Sequence, residues 1–368
     1  MRLVVLSSKT GGGHEMRAQA IQEICNDLDI ESIILRPLET DSHLYLFGTH
    51  LYNWIQRFYP RLHCLYFRWL EYASLHNHAN KIIGSREFLR KMNGFYPNLV
   101  ISVHAHLNHG FLELSKRINK HKPPKFAIYC GELADGIGFS KHWVNSRADL
   151  FCGPTKKTID AAIKRGMPAK KCKVWGALLR SSFYRSKDLI EVNSFCLKYQ
   201  INPSLPVGIL ATGANGVNSH KEVLHGLAKT AIGTQIIALC GKSTLLFNQL
   251  KDFQGKSKIK VIPLMSINAN DMKILLDMSD WVFGRPGAGL TSEVISAGKF
   301  MYFDTSKGIM PQEQNNLNFW RSSGHEPVLI KNAAKLSRNL RHMKRGKYPN
   351  LLVDRELIVQ EIKKLLSY

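Results

Sequence analysis

The chain has 368 residues, more than one hydrophobic core usually organises, so two domains of roughly 150 to 200 residues are expected. Hydrophobic residues make up 44% and charged residues 21%, which excludes a wholly disordered or coiled-coil protein. A formal net charge of +23 indicates a surface that attracts polyanions, whether nucleic acid, anionic lipid or a phosphorylated substrate.

Short apolar runs alternate with helical patterns along the chain, which is typical of parallel sheets with crossover helices and predicts an α/β fold. A helix is predicted from about Glu15 to Leu28, and a polar stretch near Ser186 with the turn at Asn202 separates two halves. We expect an N-terminal domain at 1–187, a second domain at 188–350, and a C-terminal helix in 351–368 that is free to pack back on the first. Strands are predicted at 2–7, 99–103, 125–129, 150–152, 206–211, 235–239, 260–263, 281–284 and 300–303.

Cysteine spacing and hydropathy bear on the compartment. Seven cysteines are scattered without a CxxC pair, which fits reduced thiols in the cytoplasm. No window approaches the roughly 18 uninterrupted apolar residues of a membrane-spanning helix, and the short apolar start does not resemble a signal peptide. The sequence therefore predicts a cytoplasmic protein whose membrane contact is peripheral.

The first predicted strand runs into the loop 10–14, Thr-Gly-Gly-Gly-His. Gly12 and Gly13 allow backbone N–H groups and the positive helix end to approach a phosphate or an acceptor hydroxyl. His14 at the helix start is expected to have a lowered pKa, which suits a neutral general base. The alternative is a tight strand-to-helix turn without a ligand.

Two further glycine loops lie in the second half. Gly213, Asn215 and Gly216 follow its first strand, where a diphosphate could rest on backbone amides or the loop could be a plain turn. In 279–293, a strand enters a Pro-Gly-Ala-Gly loop and then a helix, so the amides of Gly287, Gly289 and Leu290 could face phosphate. Thr291 and Glu293 stand in the first turn of that helix. Glu293 could accept both hydroxyls of a ribose, or it could only cap the helix.

Aromatic and basic residues are interleaved at 45–92, a composition that suits a membrane interface. Trp54, Phe58, Tyr66 and Trp69 are the predicted membrane-facing residues, although such side chains could equally belong to the core of packed helices.

His104, His106 and His109 raise the possibility of a metal hydrolase. Because no matching carboxylate and histidine set follows, no metal is predicted.

Four motifs in register resemble one family. They are TGGGH at 10–14, TGANG at 212–216, GRPGAGLTSE at 284–293 and PQEQNN at 311–316. Together they resemble the monogalactosyldiacylglycerol synthases and processive diacylglycerol glucosyltransferases, and more distantly the peptidoglycan lipid I N-acetylglucosaminyltransferase. The resemblance covers residues 1 to about 330. It implies a GT-B fold: two Rossmann-like domains with a cleft between them, the acceptor side N-terminal and the nucleotide sugar bound mainly by the C-terminal domain.

The resemblance also implies roles for matching residues. Gly213 and Gly216 would line the diphosphate, Thr291 would hold a phosphate, and Glu293 would grip the ribose. Gln312 and Glu313 would read the sugar hydroxyls, with Asn316 matching the family's next asparagine. The remaining matches are Leu264 beside the uracil, His14 at the acceptor hydroxyl, and Asp135 with Trp143 in the acceptor region. The chain departs from the family at Ala134 and Ser140, where threonine and histidine are usual.

The predicted reaction is transfer of a hexose from a UDP-sugar to a lipid hydroxyl, such as that of diacylglycerol, with inversion at an anionic membrane surface. His14 or Asp135 would be the base. The UDP-sugar is a donor substrate, and neither a cofactor nor a nucleic-acid partner is expected. Two alternatives stay open: a UDP-sugar epimerase of the same fold, and a non-catalytic basic protein that binds nucleic acid. The sugar, the acceptor, processivity and the oligomeric state are left open by the sequence.

Overall fold

The computed structural model describes residues 1–41, 43–58, 63–73, 77–212, 219–229, 233–254, 259–341 and 347–367. The chain divides into two compact units. Unit 1 comprises Met1–Tyr184, Met310–Phe319 and Leu351–Tyr368, and unit 2 comprises Arg185–Ile309 and Trp320–Asn350. The segment Met310–Phe319 thus groups with unit 1, whereas the sequence boundary placed it in the second domain.

Unit 1 is built on a parallel six-stranded sheet in the order β2-β1-β3-β4-β5-β6. Its strands are β1 Arg2–Leu6, β2 Glu31–Leu35, β3 Leu99–Ser102, β4 Lys125–Tyr129, β5 Leu150–Gly153 and β6 Cys172–Val174. Its helices up to Tyr184 are α1 Gly12–Asp27, α2 Pro37–Thr40, α3 His43–Phe58, α4 His63–Ala73, α5 Ser85–Phe95, α6 Gly110–Lys116 and α7 Lys156–Lys164.

Unit 2 carries a second parallel six-stranded sheet in the order β12-β11-β10-β7-β8-β9. Its strands are β7 Val207–Leu210, β8 Gln235–Leu239, β9 Val261–Leu264, β10 Trp281–Gly284, β11 Phe300–Asp304 and β12 Val328–Ile330. The remaining helices in chain order are α8 Leu189–Lys198, α9 His220–Ala228, α10 Thr244–Gln254, α11 Ala269–Met278, α12 Ala288–Ser296, α13 Pro311–Ser322, α14 Ala333–Arg341 and α15 Arg355–Ser367.

Each sheet is covered on its faces by helices because its strands are apolar on both sides. Val4 of β1 belongs to one core with Phe88 of α5 and Phe111 of α6. Leu3 and Val5, pointing the other way, pack with Ile21 of α1 and Ile358 of α15. The C-terminal helix is therefore part of the core of unit 1.

Thiols are common in these cores. The six cysteines whose side chains the structure describes are free, and all of these but Cys172 are buried. Burial raises the pKa of Cys25 to about 11, and burial likewise raises the pKa of Cys130 and Cys152 well above the usual range. These thiols stay protonated at neutral pH.

Candidate active site

Both sheets have a topological switch point, where neighbouring strands lead to helices on opposite faces. In unit 1 it lies between β1 and β3, and in unit 2 between β7 and β10. Ligands of open parallel sheets bind outside the carboxyl ends of the strands at such points. The loop with His14 follows β1, and the loop that leads to Thr291 follows β10. Each glycine loop singled out in the sequence therefore follows a switch-point strand of its own sheet.

The triple glycine enters the helix earlier than the sequence predicted. Helix α1 begins at Gly12 rather than near Glu15, and Gly11 is the N-cap with φ 89° and ψ 151°. That conformation is essentially restricted to glycine. Gly12 is exposed and Gly13 partly so, which leaves the first amides of α1 open to an incoming group. The start of α1 fits an acceptor or phosphate oxygen.

His14 stands in the first turn of α1, partly buried, beside the carboxyl end of β3. Its Nδ1 lies 2.7 Å from the carbonyl oxygen of Val103. Because a carbonyl can only accept, Nδ1 carries the hydrogen and Nε2 keeps its lone pair. Burial, followed by the charge of Arg17, lowers the pKa of His14 to about 4. Burial rather than the helix end is thus the main cause of the lowered pKa, and the imidazole is neutral at physiological pH.

Asp135, the rival base, is held by cations. Its Oδ1 accepts from Arg165 at 2.6 Å and from the backbone N–H of Gly136 at 2.8 Å. Burial alone would raise the pKa of Asp135, but these hydrogen bonds and the charges of Arg165 and Lys164 together lower it. A carboxylate so stabilised is a weaker base than the neutral imidazole of His14.

Several histidines gather around His14. The ring centroids of His14 and His104 are 4.5 Å apart, and those of His106 and His142 are 4.9 Å apart. The Nε2 of His104 lies 2.9 Å from Thr10 Oγ1. Within the described ranges, no group of three or more histidine, cysteine or acidic side chains is arranged to hold a metal ion. His104 instead contacts the glycine loop.

Trp143 is buried, with 2% of its surface exposed, and its ring centroid lies 6.2 Å from that of His14. Its ring is therefore enclosed in the core of unit 1 and does not face a membrane surface. Its place beside His14 still suits contact with an acceptor.

The start of α13 belongs to unit 1. Gln312 donates from Nε2 to the hydroxyl of Tyr52 at 3.2 Å, while its Oε1 is buried and has no hydrogen-bond partner among the described residues. Glu313 is buried, and its Oε2 accepts from the backbone N–H of Met310 at 2.8 Å. Asn316 donates to the carbonyl of Gln312 at 3.4 Å. Gln312 thus has a buried acceptor available, whereas Glu313 also caps its own helix.

In unit 2, Gly287 is the N-cap of α12, and the first intrahelical bond runs from Thr291 N to Gly287 O at 3.0 Å. The amides of 288–290, including those of Gly289 and Leu290, precede that bond, and these residues are partly exposed. The hydroxyl of Thr291 is buried without a hydrogen-bond partner in the described part of the chain. Orphaned donors beside a helix N-terminus form a site that fits a phosphate.

Of the other predicted donor-binding residues of unit 2, the structure describes Glu293 and Leu264. Glu293 is 6% exposed, two residues past Thr291 on α12. Leu264 is buried at the end of β9, where its carbonyl accepts from Cys240 N at 2.7 Å. Gly213, Asn215 and Gly216 lie outside the described residues.

Helices α3 and α4 present exposed apolar stripes. On α3, Leu44, Phe47 and Trp54 are 61%, 65% and 51% exposed at helical spacing. On α4 the corresponding residues are Leu65, Trp69 and Tyr72, with Trp69 53% exposed. The side chains of Phe58 and Tyr66 lie outside the described residues. Among the helices in the described ranges, none is long and apolar enough to cross a membrane.

Two buried or enclosed charges near the site were not found from the sequence. Arg17, only 6% exposed, donates to the carbonyl of Gly131 at 3.0 Å. Glu132, at the turn after β4, accepts from Asn315 Nδ2 at 3.3 Å. Arg17 lies about one helical turn after His14 on α1, so the two side chains share a helix face. That spacing was the available sequence signal that Arg17 lies near the site.

No family model matches the chain. It is 21% identical over 390 residues to a processive diacylglycerol beta-glucosyltransferase of Bacillus licheniformis, across 98% of this chain and 94% of the relative. It is 22% identical over 351 residues to monogalactosyldiacylglycerol synthase 3 of Arabidopsis thaliana, across 90% and 70%. These likenesses confirm the resemblance seen in the four motifs.

Solved structures show the same fold at lower identity. MurG of Acinetobacter baumannii matches with a TM-score of 0.55 and 12% identity, over 100% of this chain and 95% of the other. The UDP-GlcNAc 2-epimerase of Methanocaldococcus jannaschii, in complex with UDP-GlcNAc and UDP, matches with a TM-score of 0.59 and 13% identity over 100% of both chains. The predicted GT-B fold of two Rossmann-like domains is confirmed.

Proposed function

We propose that this protein is a UDP-sugar-dependent glycosyltransferase that moves a hexose to a hydroxyl of a diacylglycerol-like lipid, with inversion, at an anionic membrane surface. The observation that carries the proposal is His14. It is a neutral imidazole with a fixed tautomer, at the switch point of a parallel sheet, beside a glycine loop. The names of the relatives support transfer of a hexose and a diacylglycerol acceptor.

In the proposed reaction, His14 Nε2 takes the proton of the acceptor hydroxyl as its oxygen attacks the anomeric carbon. The bond between that carbon and the diphosphate oxygen breaks, and UDP leaves with the electron pair. Amides at 288–290 and the Thr291 hydroxyl stabilise the charge that develops on the diphosphate. Gln312 Oε1 accepts from a sugar hydroxyl. Attack from the side opposite the leaving group gives inversion.

Membrane association would bring the lipid acceptor to this site. The exposed apolar stripes of α3 and α4 support insertion at the interface, and the net charge of +23 supports attraction to anionic lipid. A protein bound to the membrane would then search for its lipid acceptor by diffusion along the membrane surface rather than through the bulk solution.

The reaction is tested by UDP release from UDP-glucose, UDP-galactose and UDP-N-acetylglucosamine, with and without diacylglycerol in anionic vesicles. Release with one sugar that requires lipid supports the proposal. Consumption of the nucleotide sugar without lipid would indicate an epimerase, and tight RNA binding without UDP binding would indicate a nucleic-acid protein.

The base is tested with His14→Asn, since the Asn amide can still donate to Val103 O. Loss of general-base catalysis should lower kcat by about 10²- to 10⁴-fold with UDP affinity retained. His225→Asn, a change of an exposed histidine on α9, is the control. Normal turnover by His14→Asn together with an inactive Asp135→Asn would reverse the two assignments.

The membrane surface is tested by vesicle sedimentation of the double variant Trp54→Ser, Trp69→Ser. It should lose binding to anionic vesicles while UDP affinity is kept. Leu197→Ser on α8, where the leucine is 81% exposed, is the matched control. Equal loss in both variants would show general damage rather than a membrane face.

A further inference from the structure

Glu132 occupies a crowded place between two helices that carry proposed site residues. On one side lies Arg17 of α1, the helix that also carries His14, and its guanidinium packs against Gly131. A Cβ added to Gly131 would lie 1.9 Å from Arg17 Cζ, so a larger residue there would require the buried Arg17 side chain to move. On the other side, Asn315 of α13 donates to the Glu132 carboxyl group at 3.3 Å.

The segment after Glu132 closes tightly on the start of α13. Asn315 Oδ1 accepts from the backbone N–H of Gly138 at 3.2 Å. A Cβ on Gly138 would lie 2.2 Å from the backbone carbon of Pro311, so the two backbones are in direct contact. Asn318 also donates to the carbonyl of Asp135 at 3.4 Å. The first turns of α13 are therefore held by the residues that follow β4.

We propose that Glu132 is a positioning residue for donor-sugar recognition: through Asn315 its carboxylate fixes the start of α13, which carries Gln312 and Glu313. This inference rests on the proposed function. An ionised Glu132 accepts the Asn315 N–H as a charge-assisted hydrogen bond, which is stronger and more directional than one to a neutral acid. Glu132 thereby orients Gln312 and Glu313 without contacting the sugar itself.

The surroundings of Glu132 make its ionisation sensitive to pH near neutrality. Burial raises the pKa of Glu132 to about 7, against the opposing effects of the Arg17 charge and the Asn315 hydrogen bond. The neighbouring Cys130 thiol has its own pKa raised well above the usual range by burial, so it stays neutral. Asp135, three residues on, is occupied by Arg165 and has a lowered pKa. Glu132 is the group of this cluster that changes charge around pH 7.

The expected signature is a KM for the UDP-sugar that rises as pH falls below about 7 while affinity for UDP alone stays constant. UDP lacks the sugar that Gln312 and Glu313 would contact. A residue that merely stabilised the fold would affect both ligands equally.

The experiment measures KM and calorimetric binding of the UDP-sugar and of UDP between pH 5.5 and 8.5 for wild type and Glu132→Gln. The variant should show a UDP-sugar KM raised about tenfold at pH 8 and independent of pH, with UDP affinity unchanged. Glu87→Gln, which removes a partly exposed carboxylate paired with Arg90, is the matched control. Asn315→Ala should raise the same KM, and the double variant should be no worse than either single change.

A pH-independent KM in wild type, equal weakening of UDP and UDP-sugar in Glu132→Gln, or additive effects in the double variant would each overturn the inference. Absence of turnover with every donor would instead refute the proposed function. The calorimetric comparison of UDP-sugar with UDP would then still decide the role of Glu132.

Discussion

The protonation of His14 provides a quantitative test of its environment. The imidazole has its pKa lowered from 6.5 to about 4, chiefly by burial and then by Arg17. Below pH 6.5 the unfolded chain binds this proton and the folded protein does not, so acid favours unfolding. The stability associated with a neutral His14 is complete above pH 6.5 and is lost as pH falls towards 4.

Each pKa unit corresponds to about 1.4 kcal/mol, so the full loss attributable to His14 is about 3 kcal/mol, of which about 2 kcal/mol falls between pH 7.5 and 5. The perturbation is His14→Asn, which removes the titrating group and keeps a donor for Val103 O. The assay is urea unfolding at pH 7.5 and 5, with His225→Asn as control. Wild type should lose about 2 kcal/mol more than the His14 variant over this interval. An equal loss in both proteins would refute the neutral, enclosed imidazole.

Three local substitutions test other parts of the structure. Thr291→Val removes a buried hydroxyl without a partner in the described structure, so calorimetry should show roughly tenfold weaker UDP binding with an unchanged melting temperature. Gly11→Ala places a side chain at φ 89° and should cost about 1–3 kcal/mol in unfolding free energy; no loss would disprove the turn. Gly208→Ala sets a Cβ 2.0 Å from the Trp281 ring and should lower the melting temperature of unit 2, whereas Gly233→Ala, with nothing within 4 Å, should not.

The strands show where sequence reasoning works and where it stops. Central strands such as β1 and β10 are apolar without interruption because helices cover both faces, so their runs could be found. Strands β2, β6 and β12 were missed. All three are edge strands, most of their residues are only partly buried, and within these strands the apolar runs are no longer than three residues, which is a weak sequence signal.

The site divides in a similar way. The glycine loops before α1 and α12 could be predicted because a strand, glycines and a helix are consecutive in sequence. Arg17, Glu132 and Asn315 could not, since their burial and charges depend on three distant segments meeting in unit 1. The grouping of 310–319 with unit 1 was likewise not visible in the sequence, because its hydrogen bonds to residues 135–138 leave no periodic signal.

The buried thiols of the two units have a practical consequence. Thiol reagents attack the thiolate, and burial keeps Cys130, Cys152 and Cys240 protonated and covered in the folded protein. A thiol reagent can therefore label these cysteines only after local or global unfolding exposes them. Because Cys152 lies in unit 1 and Cys240 in unit 2, mass spectrometry of labelled peptides would time the opening of each unit separately, without an introduced probe.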